Sequence, residues 1–185
     1  RKSLFQFDTQ GKMTVKLCDN INAYLAAADD VVVEKVSKPL SGQAEMTFGN
    51  TPIDGGNLLL TRGERDALEL AADHLDKFVR PIRGAAEFIR GLERFCIWVE
   101  DDDLDEASKI PQLQERFEAV RNLRLKGGTT AQYISGRPHQ FQRMITATQS
   151  VIIIPITTSE NREYLPVGIL DADTIVLNTA NAIYD

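Results

Sequence analysis

Apolar residues recur at two different spacings along this chain. Near the N-terminal end, Leu4–Leu17 reads as a short hairpin, FQF and KMTVKL around a turn at Asp8–Gly11. Val31–Val36 is a further strand candidate, ending before Pro39. The middle of the chain then shifts to helical spacing. Thr61 and Glu64 form a capping-box pair at the head of TRGERDALELAADHL, which predicts a helix from Thr61 through Leu75. A second helix is expected over Ala85–Leu92, and a strand over Arg94–Val99 (RFCIWV), where Trp98 reads as core. Pro111 opens a third helix, Gln112–Arg124, whose Leu113, Phe117 and Val120 stand four and three apart on one face. Gly127-Gly128 ends it, and Thr129–Ser135 fits a helix or a strand equally well.

The pattern changes again after Ser150. Val151–Ile156, Tyr164–Leu170 and Thr174–Leu177 are short runs rich in Ile and Val, and they read as strands of one compact sheet. Pro155 argues that the first is an edge strand or carries a bulge. Asp171–Asp173 is short enough for a hairpin turn. The other connection, Thr157–Glu163, packs seven hydrogen-bonding side chains onto one loop, either a recognition device or a solvated turn. Strands flanking a helical block predict an α+β fold, with a small mixed, mainly antiparallel sheet. The chain suits one domain over residues 1–185, with a helical subdomain at about 61–135.

Composition is ordinary for a globular domain, at 43% hydrophobic and 26% charged. No apolar run is long enough to span a bilayer, and Arg1 suggests a cut inside a longer chain. Cys18 and Cys96 lack CxxC partners and only two histidines exist, so buried thiols in a reducing cytoplasm are expected, with no metal. The net charge of −6 is unevenly spread. Residues 100–106, EDDDLDE, are almost wholly acidic and read as a solvated loop. Residues 116–143 carry Arg116, Arg121, Arg124, Lys126, Arg137 and Arg143 against Glu118 alone. That stretch is either a solvated helix face or a phosphate-binding patch.

Sites for catalysis are poorly supported. The loop MTFGNTPIDGGNLLL, Met46 to Leu60, has the glycines of a phosphate cradle but neither the Gly-Lys-Ser/Thr ending nor a dinucleotide fingerprint, so a structural turn is expected. His74 sits on a polar helix face, and His139 either touches a phosphate or caps a turn. A small hydrolase built on Asp101–Asp103 is a remote alternative.

Three motifs carry a resemblance. Gly49-x-x-Pro52-x-Asp54-Gly55-Gly56 comes first. Gly84-x-x-Glu87-Phe88-Ile89-x-Gly91 with Arg94-x-Cys96-x-Trp98 follows, then Ser159-Glu160-x-Arg162-x-Tyr164-x-Pro166. In this order the chain resembles the target-recognition region of MmeI-like restriction-modification enzymes. In these a DNA adenine methyltransferase, often with an endonuclease, shares one polypeptide with a recognition domain. The Asn/Asp-Pro-Pro-aromatic motif, the glycine loop for S-adenosylmethionine and the nuclease residues are all missing. The resemblance therefore implies a non-catalytic reader of double-stranded DNA, with the cofactor held by the methyltransferase domain of the same chain. It implies base reading by Ser159, Asn161 and Arg162 on one loop, and by Asn178, Thr179 and Asn181 near the chain end. For Arg162, with Glu160 and Tyr164, a framework role stands as the alternative. Phosphate contacts fall to Arg121, Arg124, Lys126, Arg137 and Arg143. A docking module without base contact is the rival reading.

Overall fold

The computed structural model describes residues 1–185 except Val33, Ser37 and Leu40, and it divides into two compact units, Arg1–Ser41 and Gly42–Asp185. The first unit holds the expected hairpin, β1 (Lys2–Phe7) against β2 (Met13–Cys18), in register from Lys2 opposite Cys18 to Phe7 opposite Met13. Asp8 closes its turn, its carboxylate accepting from the amides of Gln10 at 2.9 Å and Lys12 at 2.8 Å. Gly11 supplies the positive φ of +78° that this turn needs. Of the strand expected over Val31–Val36, Val33 lies outside the described residues and the others belong to no strand.

The second unit is α+β. Its elements run β3 (Thr47–Phe48), β4 (Leu59–Leu60), α1 (Arg62–Asp66), α2 (Ala72–Phe78), β5 (Val79–Arg83), α3 (Ala85–Arg90) and β6 (Phe95–Ile97). A 3-10 turn at Asp101–Asp103 leads into α4 (Leu104–Ala107), then α5 (Pro111–Leu125) and α6 (Thr129–Tyr133). Last come β7 (Ser150–Pro155), β8 (Gly168–Asp171), β9 (Ile175–Val176) and β10 (Ala180–Tyr184).

Two four-stranded sheets result, ordered β4-β6-β5-β9 and β3-β10-β7-β8. All their pairings are antiparallel except β5 with β9. The three C-terminal runs therefore do not form one sheet. β7 and β8 stay together, while β9 crosses to lie parallel to β5, with Ile82 opposite Ile175 and Arg83 opposite Val176. Burial explains the crossing: Ile175 joins the large core with Ile82 and Trp98, and its neighbour Val176 joins a second core with Val151, Ile153, Ala180 and Ala182. Asp171–Asp173 is accordingly a turn between sheets and not a hairpin.

Pro155 stands in an interior strand and not at an edge, flanked by β10 and β8. The proline is tolerated because β8 reaches only as far as Gly168, opposite Ile153. β5 was hidden from sequence patterning by Pro81, which pairs with Phe95. The single helix expected through Leu75 is broken. Thr61 and Glu64 form the capping box, but the backbone at Glu69 turns to φ +47° and α2 starts afresh at Ala72. The break delivers Leu68, 4% exposed, into the core. α5 buries Leu113, Phe117 and Val120 as its spacing predicts. Among the described residues no helix is long and apolar enough to cross a membrane.

Candidate nucleic-acid interface

β7 and β10 are antiparallel, so the end of one lies beside the start of the other: Pro155 pairs with Ala180. The connection that leaves β7 and the segment that enters β10 consequently emerge at the same end of the sheet. The Ile156 amide donates to the Thr179 carbonyl at 3.2 Å and ties them together. Between them is a depression of about 540 Å³, bordered by Glu87, Arg94, Ile156, Thr157, Asn178 and Thr179. Ser159, Asn161, Arg162, Asn178 and Thr179 are all exposed. The Ser159 hydroxyl accepts from the Asn161 amide at 3.2 Å, and its carbonyl accepts from the Arg162 amide at 3.1 Å. These two bonds fold the loop on itself and turn the intervening side chains outward.

The second tip is anchored more firmly. β9 runs parallel to β5, so the chain beyond each strand emerges on the same side. The Leu177 amide donates to the Arg83 carbonyl at 2.9 Å, and Thr179 Oγ1 accepts from the Ala85 amide at 3.0 Å. Gly84 makes the approach possible, since a Cβ there would stand 2.3 Å from Thr179 Oγ1. Glu87 binds the Gly84 amide at 3.0 Å and pairs with Arg94 at 3.0 Å. Asn181 is set apart from the tip. It lies inside β10, half-buried, on the face opposite Ala180 and Ala182. Arg94 borders the depression and was not singled out as a reader; its only sequence signal was its place in the second motif.

The cations divide. Arg121 is exposed on α5 beside Gly136, Pro138 and His139, around a depression of about 230 Å³. Lys126, at the end of α5, and Arg137 are exposed, and Arg137 donates to Gln140 Oε1 at 3.1 Å. Arg143 is half-buried elsewhere, donating to the Thr47 hydroxyl of β3.

Arg124 is a correction to the phosphate set. It is fully buried, and each of its five N–H groups meets a backbone carbonyl. Nε donates to Ile53 at 2.8 Å; one terminal nitrogen donates to Ile134 at 3.2 Å and Arg137 at 2.7 Å; the other donates to Pro52 at 2.8 Å and Gln140 at 2.6 Å. No donor is left for a phosphate. Burial lowers its pKa to about 10, so it remains charged at neutral pH.

The glycine loop serves the same brace. Ile53 is held at φ +45°, unusual for a β-branched residue, and its carbonyl is one that Arg124 secures. Asp54 Oδ2 accepts from the amides of Leu58 at 2.7 Å and Leu59 at 3.2 Å. Gly55, at φ +62°, lies where a Cβ would meet Leu123 at 2.3 Å. Fully buried Asn50 bonds both the amide and the carbonyl of Ile145, at 2.6 and 2.9 Å. The first motif is therefore framework.

The acidic run is largely exposed, as expected, but it is a 3-10 turn leading into α4 and not a loop. Asp103 and Glu106 pair with Lys77 at 2.8 and 2.7 Å, and Asp101 meets His139 Nε2 at 3.1 Å and Gln140 Nε2 at 3.0 Å. Among the described residues no group of three or more His, Cys, Asp or Glu is placed to hold a metal.

Residues 27–185 match the MmeI target recognition domain. The chain belongs to that family. It is 36% identical over 176 residues to DNA methyltransferase A of Bacillus subtilis (strain 168), a match covering 93% of this chain and 20% of that protein. It also superposes along its whole length on the Type IIL restriction-modification enzyme MmeI, solved in complex with DNA, with a TM-score of 0.79 and 29% identity over 25% of that chain. The chain thus spans about a fifth to a quarter of the length of these relatives. The three motifs of the resemblance hold distinct posts. The first braces the core, the second seats the Thr179 tip, and the third forms the exposed loop.

Proposed function

We propose that this chain selects the DNA sequence at which a larger enzyme methylates adenine. The observation that carries this reading is the convergence of two polar tips, residues 157–162 and 178–179, at one end of the sheet, in the MmeI recognition fold. Ser159, Asn161, Arg162 and Asn178 read base edges in the groove, Arg suiting guanine and Asn adenine, each good bidentate pair giving about 1–3 kcal/mol of discrimination. Thr179 contributes less, because its oxygen already accepts from Ala85 and leaves its O–H as the free donor. Asn181 reads from the outer face of β10. Arg121, Lys126, Arg137 and Arg143 bind phosphates and set the register on duplex DNA.

The methyl donor, S-adenosylmethionine, is held by a separate catalytic domain of the same polypeptide, onto which the target base is extruded. The residues here do not suit it: at the glycine turn the Leu58 and Leu59 amides are taken by Asp54, and Leu123 fills the space beside Gly55. Docking without base contact draws less support, since much of the acidic run that would favour it is paired with Lys77, His139 and Gln140. The setting is a cytoplasm, consistent with two free cysteines.

Sequencing the methylated sites left by the full-length enzyme tests the reading. Asn178→Ala or Arg162→Ala is expected to relax the site at one base position. Arg121→Ala is expected to weaken all sites alike and reduce the salt slope by about one. An unchanged site spectrum in every tip variant, with salt-independent binding, is the outcome that defeats it.

A further inference from the structure

The hairpin of the first unit carries a surface that base reading does not use. Because β1 and β2 pair in register, Phe5 stands beside Val15, Phe7 beside Met13 and Ser3 beside Leu17 on one side of the ribbon. All five apolar side chains there are more than half exposed, from 51% for Met13 and Val15 to 68% for Phe7. The opposite side carries Lys2, Gln6, Thr14 and Lys16, with Leu4 and Cys18 half-buried. A lone two-stranded ribbon is marginal in water, and a contiguous exposed apolar face marks a contact surface. We propose that this face docks on an apolar surface elsewhere in the longer polypeptide, and so seats the recognition domain against the body of the enzyme. The inference rests on reading the chain as one domain of a larger enzyme.

Three observations select this occupant. The hairpin precedes residues 27–185, the segment shared by target recognition domains, yet it lies within the match to the much longer MmeI chain. The hairpin therefore goes with the longer enzyme more than with the reader alone. Next, its exposed apolar face holds no cation, Lys2 and Lys16 being on the other side, so a phosphate backbone gains nothing there. Finally, five such side chains offer on the order of 500 Å², short of the ~800 Å² a side that stable pairs of separate molecules bury. That area suffices where a covalent link raises the effective concentration to about millimolar.

Hydrogen–deuterium exchange without DNA, comparing the full-length polypeptide with the isolated 185-residue chain, tests the proposal. Amides of residues 3–17 are expected to exchange at least tenfold more slowly in the full-length protein. Phe5→Gln with Val15→Gln in that protein is expected to restore fast exchange at the hairpin. Equal exchange in the two proteins, or protection that survives the double substitution, overturns it. So does protection that appears in the isolated chain together with a dimer in sedimentation, or only when duplex DNA is added. The readout needs no DNA, so failure here is separate from failure of base reading, which the methylation spectrum reports.

Discussion

Arg121 and Arg124 stand three positions apart on α5, so their side chains leave the helix about 60° apart in azimuth. One reaches water beside Pro138; the other runs into the core and gathers carbonyls from residues 52, 53, 134, 137 and 140. Removing Arg124 strips donors from five carbonyls and releases the strained turn at Ile53. Arg124→Ala is therefore expected to lower stability by at least about 3 kcal/mol, while Arg121→Ala stays within about 0.5 kcal/mol, both read from urea unfolding. His139 illustrates the same point for a titrating group. It is 2% exposed, its Nε2 meets Asp101, and its Nδ1 has no partner. A neutral ring donating from Nε2 leaves only an unpaired acceptor, whereas protonation would bury an unpaired N–H. Burial accordingly holds the His139 pKa below the ordinary value of 6.5, against the pull of Asp101. The unfolded chain then takes up the proton first, so stability falls as pH drops through 6.5. His139→Gln is expected to flatten that fall in pH-dependent thermal melts; an unchanged slope would assign it to other groups.

At the scale of elements, α3 and the strand crossing set the geometry of the tip. The left-handed Gly91, φ +66°, ends α3, and Gly84 starts it where no Cβ fits against Thr179. Gly84→Ala is expected to cost about 1–3 kcal/mol through that overlap. Combined with Thr179→Ser it should remain costly, because Oγ1 is still present. Combined with Thr179→Ala it should recover part of the loss, a coupling visible in a double-mutant cycle of unfolding free energies. Additive losses would show that the two residues do not meet. These elements were partly legible beforehand. The Asp8 turn, the Thr61 capping box and the buried stripe of α5 depend on neighbours within four residues, and each formed as expected. β5 did not announce itself, since Pro81 counts against a strand until Phe95 and Ile175 flank it.

For the molecule as a whole, both cores are built from residues between Leu58 and Tyr184. Removing residues 1–41 is therefore expected to leave the unfolding transition of residues 42–185 at nearly the same temperature in calorimetry. A large downward shift would mean that the first unit contributes to that core. The meeting of the two polar tips, too, is a property of the whole molecule. Asn178 reaches the side of Thr157 only because β9 leaves its neighbour β8 for the other sheet and the chain then returns as β10.

What the sequence by itself determined was local: the turns and caps, the apolar faces of the hairpin and of α5, and a polar loop after Pro155. These follow from backbone preferences and short-range hydrogen bonds, which nearby residues set. Tertiary structure alone decided that Arg124 would be a brace, that Asp101 would face His139, and that the two tips would share one end of a sheet. Such outcomes turn on which distant segment satisfies a buried donor or fills a core position, and that competition is resolved only when the whole chain has packed.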